Sequence, residues 1–340
     1  MGLSLTPPHA QHALTSQHAQ HAEARPHALT PPHARHAATD QTAFHRLLRI
    51  VSLVRYRFFL YAGLIPYLLG AAWSYRITGH LDAAIFFAGL GGVVLAVIGV
   101  EAFNEYFDSR MGTDRVFNPD DVPPMSAWVL WLGIAAFAGA LATGIYLTER
   151  AGWPILAFAG LGGLAAVFYV APPIRWAYRG LGETVIALSY GPWMVLGSLY
   201  LHARVFAWSA LAASLVPGFL IMALAVVNAI PDFHQDRLVG KRNLVVRLGR
   251  KHAVWLYLTL AAAGLLVAPA GVAAGIFPPA CLVTLIALPL LITSATRAIG
   301  TYTKPRQFVP AIRSIVTCYV VAVSLFTAAI AVQALLSPAP

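Results

Sequence analysis

The sequence predicts an all-α, polytopic membrane protein with nine transmembrane helices, and three observations support this prediction. First, 59% of the 340 residues are hydrophobic and only 11% are charged, with a mean hydropathy of +0.69. Soluble globular chains are normally about one quarter charged. Second, the chain contains nine apolar runs, each close to the ~20 residues that a helix needs to cross a bilayer. Third, positive charge is distributed unevenly between the segments that join these runs.

Residues 1–45 differ in composition from the rest of the chain. They contain eight of the twelve histidines and repeat the unit TPPHA at 6–10 and 30–34. Without an apolar h-region this segment is not a signal peptide, and such a composition cannot bury a core. We therefore predict a disordered tail over 1–45, which an over-extended translation start would also explain, and a membrane domain over 46–340. Metal binding by the histidines is the alternative.

The nine apolar runs follow one another with short connections, so neighbouring helices should pack antiparallel. Their predicted positions are 58–77, 84–106, 126–147, 151–171, 184–203, 208–230, 253–274, 276–296 and 314–336.

The distribution of Lys and Arg predicts the orientation of the bundle. Nine spans place twenty of the 23 basic residues on the side of the N-terminal segment, and only Arg76, Arg150 and Arg204 on the other side. Cytoplasmic loops of membrane proteins carry such an excess of positive charge. We therefore expect an integral protein of the cell (inner) membrane, with the N-terminal side and both carboxylate motifs facing the cytoplasm. The net charge of +10 needs no nucleic-acid partner, because orientation and attraction to anionic lipid explain it.

An acidic cluster ends the second apolar run, in the stretch VEAFNEYFDSRMGTD (100–114). In a helix, Glu101, Asn104, Glu105 and Asp108 share one face, and Asp114 follows. Carboxylates at the end of a membrane helix are unfavourable unless they are paired or bind a cation, so the cluster indicates a functional site.

A second cluster ends the sixth run, in VVNAIPDFHQD (226–236). Asn228, Asp232 and Asp236 are spaced four residues apart, which would put them on one helical face. Oxygen ligands of this kind suit Mg²⁺, which takes one or two carboxylates together with substrate phosphates. Basic residues follow both clusters, and this alternation of acid and base suits a diphosphate held by metal ions. A salt-bridged loop of cytoplasmic charges is the plainer alternative for the bases.

Both clusters resemble motifs of the UbiA superfamily of intramembrane aromatic prenyltransferases, and most closely its 1,4-dihydroxy-2-naphthoate prenyltransferase branch. That branch has N-D-Y-F-D-x-x-x-G-x-D where this chain has NEYFDSRMGTD (104–114). The segment DRLVGKRNLVVRLG (236–249) resembles its D-R-x-x-G-K-R-T-L-A-V-R-L-G, and PPIRWAYRGLGE (172–183) resembles its loop between helices 4 and 5. The resemblance covers about residues 46–336.

The resemblance implies a nine-helix bundle around a central cavity, Mg²⁺ as cofactor, and a polyprenyl diphosphate and an aromatic acceptor as substrates. The implied metal ligands are Asn104, Asp108, Asp114, Asn228, Asp232 and Asp236. The implied diphosphate-binding residues are Arg115, Arg237, Lys241 and Arg242, with Arg175 and Tyr169 as further candidates. We predict that Asp108 and Asp232 are central to catalysis. Glu101 either orients the acceptor or removes its proton, or it is a protonated, hydrogen-bonded residue of the core.

Three of the departures from the family pattern concern the motifs and the candidate site residues, and a fourth is the loop RVFNPDDVPPMS after Asp114, which lacks an Arg-rich, Gly-containing segment that many members carry. Glu105 replaces the usual aspartate, and Ala229 stands where a second polar residue is common. The family's Y-x-x-x-K begins here at Tyr169 but has Pro173 at the lysine position, so Arg175 is expected to substitute.

Two alternatives to the naphthoate reaction remain at this stage. One is the same chemistry with another acceptor, such as 4-hydroxybenzoate, homogentisate, haem, a chlorophyllide or a phospho-sugar. The other is an ion-coupled transporter, although transporters typically bind ions near the bilayer midplane, whereas both clusters here lie at helix ends on the predicted cytoplasmic side.

Overall fold

The computed structural model describes residues 57–111 and 126–336, all within one compact unit, Leu53–Pro340. These residues form helices and turns, with no strand among them, which confirms the predicted all-α class. The predicted tail and its boundary with the membrane domain lie outside the described residues.

The described chain contains twelve α-helices. In order they are α1 (Arg57–Thr78), α2 (Ala83–Met111), α3 (Ala127–Ala151), α4 (Pro154–Val167), α5 (Gly182–Leu188), α6 (Met194–Ala203), α7 (Trp208–Ala229), α8 (Phe233–Leu238), α9 (Leu244–Leu248), α10 (Arg250–Ala273), α11 (Leu288–Thr301) and α12 (Pro305–Leu336). A π-helical turn, Ser189–Trp193, joins α5 to α6, and a 3₁₀ segment, Pro279–Ala287, leads into α11.

Seven helical segments of the described chain are long and apolar enough to cross a membrane. They are α2, α3, the continuous segment Gly182–Ala203 (α5 and α6), α7, α10, the segment Pro279–Thr301 and α12. The other two predicted spans, 58–77 and 151–171, fall on α1 and α4, which are not among these seven segments of the described chain. Seven of the predicted spans therefore coincide with helical segments that are long and apolar enough to cross a membrane, whereas the total of nine stays a prediction.

The fourth predicted span, 151–171, is shorter in the structure. Helix α4 begins at Pro154, where a proline fits the first turn, and ends at Val167. The chain then folds back on itself, because the backbone N–H groups of Trp176 and Ala177 donate to the carbonyls of Phe168 and Tyr169 at 3.0 Å. This turn places Tyr169 at the end of the bundle where both motifs lie.

Segment Gly182–Ala203 bends at its π-helical turn. Pro192 lacks the N–H that would continue the regular helical pattern. Gly191 packs directly against α7, since a Cβ atom there would lie 2.8 Å from the Cα of Gly218. The bend and the missing side chain allow this segment to lie close to α7.

Helix α7 lies at the centre of the bundle, where most of its side chains are buried. A large apolar cluster joins it to α1, α6, α10 and α12. By contrast, large side chains such as Phe87, Trp131 and Leu266 are about two-thirds exposed on the outside of the bundle. Apolar surfaces of this kind are typical of a protein surrounded by lipid.

Candidate active site

A polar cavity of about 190 Å³ lies at the end of the bundle where both acidic motifs are found. Side chains from α2, α5, α7 and α8 line it, together with the turn after α4 and the connection before α9. Its polar and charged lining residues are Asn104, Asp108, Tyr169, Glu183, Asn228, Asp232, Asp236, Lys241 and Asn243. The structure therefore brings the two predicted motifs to one cavity.

The first motif is carried by α2, which continues to Met111, beyond the predicted end at residue 106. Asn104 and Asp108 lie one helical turn apart, so both reach the cavity from the same face. The Oδ1 atom of Asn104 is buried and has no hydrogen-bond partner among the described residues. A buried oxygen without a donor is suited to bind a cation.

The second motif does not form the single helical face that its spacing predicted. Helix α7 ends at Ala229 and α8 begins at Phe233. Pro231 lies between them, and it cannot supply the backbone N–H of a continuous helix. Asn228 reaches the cavity from α7, whereas Asp232 and Asp236 reach it from the start and middle of α8. The three residues thus meet through a helix break.

Lys241 connects the two motifs. Its Nζ lies 3.3 Å from Oδ1 of Asp108 and 3.6 Å from Oδ1 of Asp236. On another side, the ring centroid of Tyr178 is 5.6 Å from Nζ, within the range of a cation–π contact. A mostly buried cation thus stands between one carboxylate from each motif.

The surroundings of Lys241 and Asp236 set their protonation. Burial by itself would lower the pKa of Lys241, but Asp108 and Asp236 outweigh it, so its pKa lies above the ordinary value. Burial raises the pKa of Asp236, and Lys241 and Asn243 limit that rise. Lys241 is therefore cationic near neutral pH and available to an anion.

The cavity residues fit Mg²⁺ when a phosphate shares the ion. No group of three or more His, Cys, Asp or Glu side chains able to hold a metal ion by themselves was found in the part of the chain that the structure describes. Mg²⁺ usually keeps several waters and takes one or two carboxylates plus substrate phosphates. Asn104, Asp108, Asn228, Asp232 and Asp236 supply oxygens of this kind around one cavity.

The remaining predicted residues are placed differently. Asp114 and Arg115 lie outside the described residues. Glu101 is on α2, one turn before Asn104, and does not line the polar cavity. Three predicted diphosphate-binding residues also lie outside its lining: Arg175, Arg237 and Arg242. Among the predicted diphosphate-binding residues that the structure describes, Lys241 and Tyr169 line it.

Two cavity residues, Glu183 and Asn243, were not predicted. Glu183 is only 3% exposed, and its Oε1 accepts a hydrogen bond from the backbone N–H of Leu244 at 3.0 Å. Asn243 donates to Asp236 and caps α9. A carboxylate immediately before the fifth predicted span, 184–203, was a usable signal for Glu183. Asn243 carried only the signal of a helix cap, which says nothing about the cavity.

An apolar cavity of about 520 Å³ lies next to the polar one. Phe168 lines the apolar cavity and its neighbour Tyr169 lines the polar one. Segment Gly182–Ala203 likewise contributes Ile186 to the polar cavity and Ser189, one turn further, to the apolar cavity. The apolar cavity extends between α2, α3, α4 and α6 as far as Tyr67 and Leu201.

Comparison with known proteins agrees with this architecture. Residues 63–316 match the UbiA prenyltransferase family. Over 193 residues the chain is 28% identical to a 2-carboxy-1,4-naphthoquinone phytyltransferase of Synechocystis sp., covering 55% of this chain and 62% of that relative. Over 237 residues it is 32% identical to a 1,4-dihydroxy-2-naphthoate octaprenyltransferase of Mycobacterium tuberculosis, covering 66% and 76%. The chain thus spans less than two thirds of the first relative's length.

A solved structure shows a similar fold. It is a UbiA homologue from Archaeoglobus fulgidus bound to GPP and Mg²⁺, with a TM-score of 0.52 and 20% identity. The match covers 82% of this chain and 96% of the homologue. At this level of identity the likeness concerns the fold alone.

Proposed function

The chain belongs to the UbiA prenyltransferase family, and we propose that it transfers a polyprenyl group from an allylic diphosphate to an aromatic acceptor in a Mg²⁺-dependent reaction. We further propose that the acceptor is 1,4-dihydroxy-2-naphthoate, which would place the reaction in menaquinone biosynthesis. The named relatives and the first motif, NEYFDSRMGTD (104–114), support this acceptor. In this proposal the protein is integral to the cell (inner) membrane, with the polar cavity facing the cytoplasm.

The contact of Lys241 with carboxylates from both motifs is the observation that carries the proposal. A diphosphate needs cations on more than one side, and the polar cavity offers an ammonium group beside two sets of metal-binding oxygens. A purely structural ion pair would not require Asn104, Asn228 and Asp232 to line the same space.

In the proposed reaction, Asn104, Asp108, Asn228, Asp232 and Asp236 would hold Mg²⁺, which would supply Lewis-acid stabilisation of the diphosphate leaving group. Lys241 binds phosphate oxygens and stabilises the negative charge that develops as the allylic C–O bond breaks. Tyr169 lies at the border of the two cavities, where its ring can face the positive charge on the allyl group. The electron-rich ring of the acceptor then attacks the allyl carbon as the diphosphate leaves. The naphthoate ring regains its aromaticity by losing its carboxyl group as carbon dioxide, whereas an acceptor without that carboxyl would lose a ring proton.

The apolar cavity is where we place the polyprenyl chain. Its lining is almost entirely hydrophobic and begins beside the polar cavity at Phe168. Burial of a hydrocarbon chain there removes its methylene groups from water, at roughly 0.8 kcal/mol for each. The diphosphate would remain in the polar cavity while the chain extends toward Tyr67.

Membranes from cells that express the full chain test this function directly. They receive radiolabelled geranylgeranyl diphosphate, Mg²⁺ and 1,4-dihydroxy-2-naphthoate, and the lipid product is extracted and identified. We expect a prenylated naphthoquinol that is lost with EDTA and in Asp108→Ala and Asp232→Ala. Asp82→Asn serves as the control, because Asp82 is exposed at the other end of α2 and caps it through Ile85.

The possible outcomes test the acceptor and the transferase activity separately. Consumption of the diphosphate without a naphthoate product would contradict the acceptor alone, and 4-hydroxybenzoate and homogentisate would be tested next. Absence of any Mg²⁺-dependent consumption would contradict the transferase activity. Equal loss in Asp82→Asn would show that the effect does not depend on the polar cavity.

A further inference from the structure

Asn243 makes two hydrogen bonds with opposite ends of its side-chain amide. Its Nδ2 donates to Oδ2 of Asp236 at 2.6 Å. Its Oδ1 accepts from the backbone N–H of Val246 at 2.8 Å, which caps the short helix α9. The same side chain therefore joins a residue of the second motif to the segment that follows Lys241.

The hydrogen bond between Asn243 and Asp236 is almost completely shielded from solvent. Asn243 is 7% exposed and Asp236 is 5% exposed. The amide takes up one carboxylate oxygen of Asp236, and the other oxygen, Oδ1, lies on the side of Lys241. Because the amide is neutral, it fixes the orientation of the carboxylate without cancelling its negative charge.

Neighbouring contacts hold Asn243 in this position. Its backbone continues into Leu244, whose N–H donates to Glu183 on α5 at 3.0 Å. The backbone N–H of Lys241 donates to the carbonyl of Asp236 at 2.8 Å, which closes the turn on the other side. The donor is thus anchored by backbone contacts that do not involve the carboxylate of Asp236.

The sequence pattern that this segment resembles has threonine at the position of Asn243. A threonine or serine hydroxyl can cap a helix, but it lies one bond closer to the backbone than the amide nitrogen of asparagine. While it accepts from Val246, its oxygen would therefore lie farther from Asp236 than the amide nitrogen of Asn243 does. Asparagine therefore adds a contact that capping does not require.

We propose that Asn243 is a positioning residue that orients Asp236 for cation binding. The proposal rests on the proposed function, since it assigns the cation site to the two motifs. Partners that orient a metal-binding side chain typically affect metal affinity by 10- to 100-fold. Loss of this donor should therefore weaken cation binding even when the helix cap is preserved.

Asn243→Ser separates the two roles of the side chain, because serine keeps a capping oxygen and lacks the longer amide whose Nδ2 donates to Asp236. The full chain is purified in detergent, and bound Mn²⁺ is measured by electron paramagnetic resonance in the presence of geranylgeranyl diphosphate. We expect the dissociation constant for Mn²⁺ to rise about 10-fold or more, with an unchanged thermal unfolding midpoint. Asn243→Thr should behave in the same way, whereas Asn243→Ala should also lower the midpoint.

Each result bears on a different statement. Equal Mn²⁺ affinity in the native chain and in both capping variants would overturn the role of Asn243 while leaving the metal site in place. A native chain that binds no Mn²⁺ with the diphosphate present would overturn the metal site and, with it, the proposed function. A midpoint that falls equally in all three variants would assign Asn243 to stability alone.

Discussion

At the scale of single residues, Lys241 determines how charge is arranged in the polar cavity. Its ammonium group lies within 4 Å of carboxylates from both motifs. These contacts keep the motifs together, and the lysine is also the cavity residue best placed to bind an anion. Removal of the charge should therefore weaken the use of the diphosphate, whereas the affinity for the metal ion should be retained or increased.

Lys241→Met keeps most of the side-chain volume and removes the charge. We expect kcat/KM for the prenyl diphosphate to fall about 10²-fold, since loss of one stabilising donor in an active site has an effect of that order. Mn²⁺ affinity without diphosphate should be retained or increased, because a positive neighbour of Asp108 and Asp236 is gone. Steady-state kinetics and Mn²⁺ titration measure the two quantities.

Lys241→Arg is the control for this prediction, because it retains the charge with a different shape. It should keep Mn²⁺ affinity near that of the native chain and lose less activity than the methionine variant. A parallel fall of Mn²⁺ and diphosphate affinity in Lys241→Met would contradict the assignment of Lys241 to the diphosphate and would favour a structural role.

The sequence predicted some of these residues and missed others for physical reasons. Asn104, Asp108 and Asp236 were predictable because polar oxygens at regular spacing at the end of an apolar run have few structural explanations. Lys241 was predicted as one of several bases, and only the fold separates it from Arg237 and Arg242, which lie outside the cavity lining. Glu183 and Asn243 enter through contacts between segments that lie far apart in sequence.

At the scale of helices, breaks and bends position the site. Helix α7 ends before Pro231, so the second motif is divided between two helices. Arg247 joins the two connections that flank the cavity, since its side chain donates to the carbonyls of Arg179 and Arg242 at 2.7 and 2.8 Å. Gly180 has a φ of +70° and leaves room for this side chain. Periodicity predicts helices well, but it does not reveal such connections.

At the same scale, the apolar cavity leads to a prediction about the length of the polyprenyl chain that the protein prefers. Gly163 on α4 lines this cavity, and a Cβ atom there would meet nothing within 4 Å. Gly163→Leu should therefore fill part of the cavity without displacing backbone. We expect the preference for geranylgeranyl over geranyl diphosphate, measured as a ratio of kcat/KM values, to fall by at least about tenfold.

Gly91→Leu is the matched control for Gly163→Leu. Gly91 is on α2, is exposed, and also has open space at its Cβ, but it does not line the apolar cavity. The control should keep the native preference for chain length. An equal shift in both variants, or no shift in either, would contradict the placement of the polyprenyl chain between α2, α3, α4 and α6.

At the scale of the whole molecule, the charge distribution predicts the orientation, and exposed aromatic residues mark the opposite membrane interface. The predicted cytoplasmic side carries twenty of the 23 Lys and Arg residues. At the opposite end, Trp153, Phe206 and Trp208 are exposed near the ends of α3, α6 and α7. Aromatic residues of this kind are enriched where a membrane protein meets the lipid–water interface. The polar cavity, with its basic neighbours, should therefore open to the cytoplasm.

Single introduced cysteines test this orientation, because both native cysteines, Cys281 and Cys318, are fully buried and should not react. Leu238→Cys lies beside the polar cavity, and Phe206→Cys lies at the opposite end; both positions are exposed. A maleimide that cannot cross membranes should label Phe206→Cys in intact spheroplasts and Leu238→Cys only after permeabilisation. The unchanged chain is the control, and it should stay unlabelled in both conditions.

The reverse labelling pattern would place the diphosphate site outside the cell, where the positive-charge distribution does not predict it. Such a result would contradict the proposed localisation, although the arrangement of the cavity residues would be unaffected. Labelling of Leu238→Cys from the cytoplasmic side alone would connect the orientation to function. The diphosphate head group could then reach Lys241 from the cytoplasm, while its hydrocarbon chain remains within the bilayer.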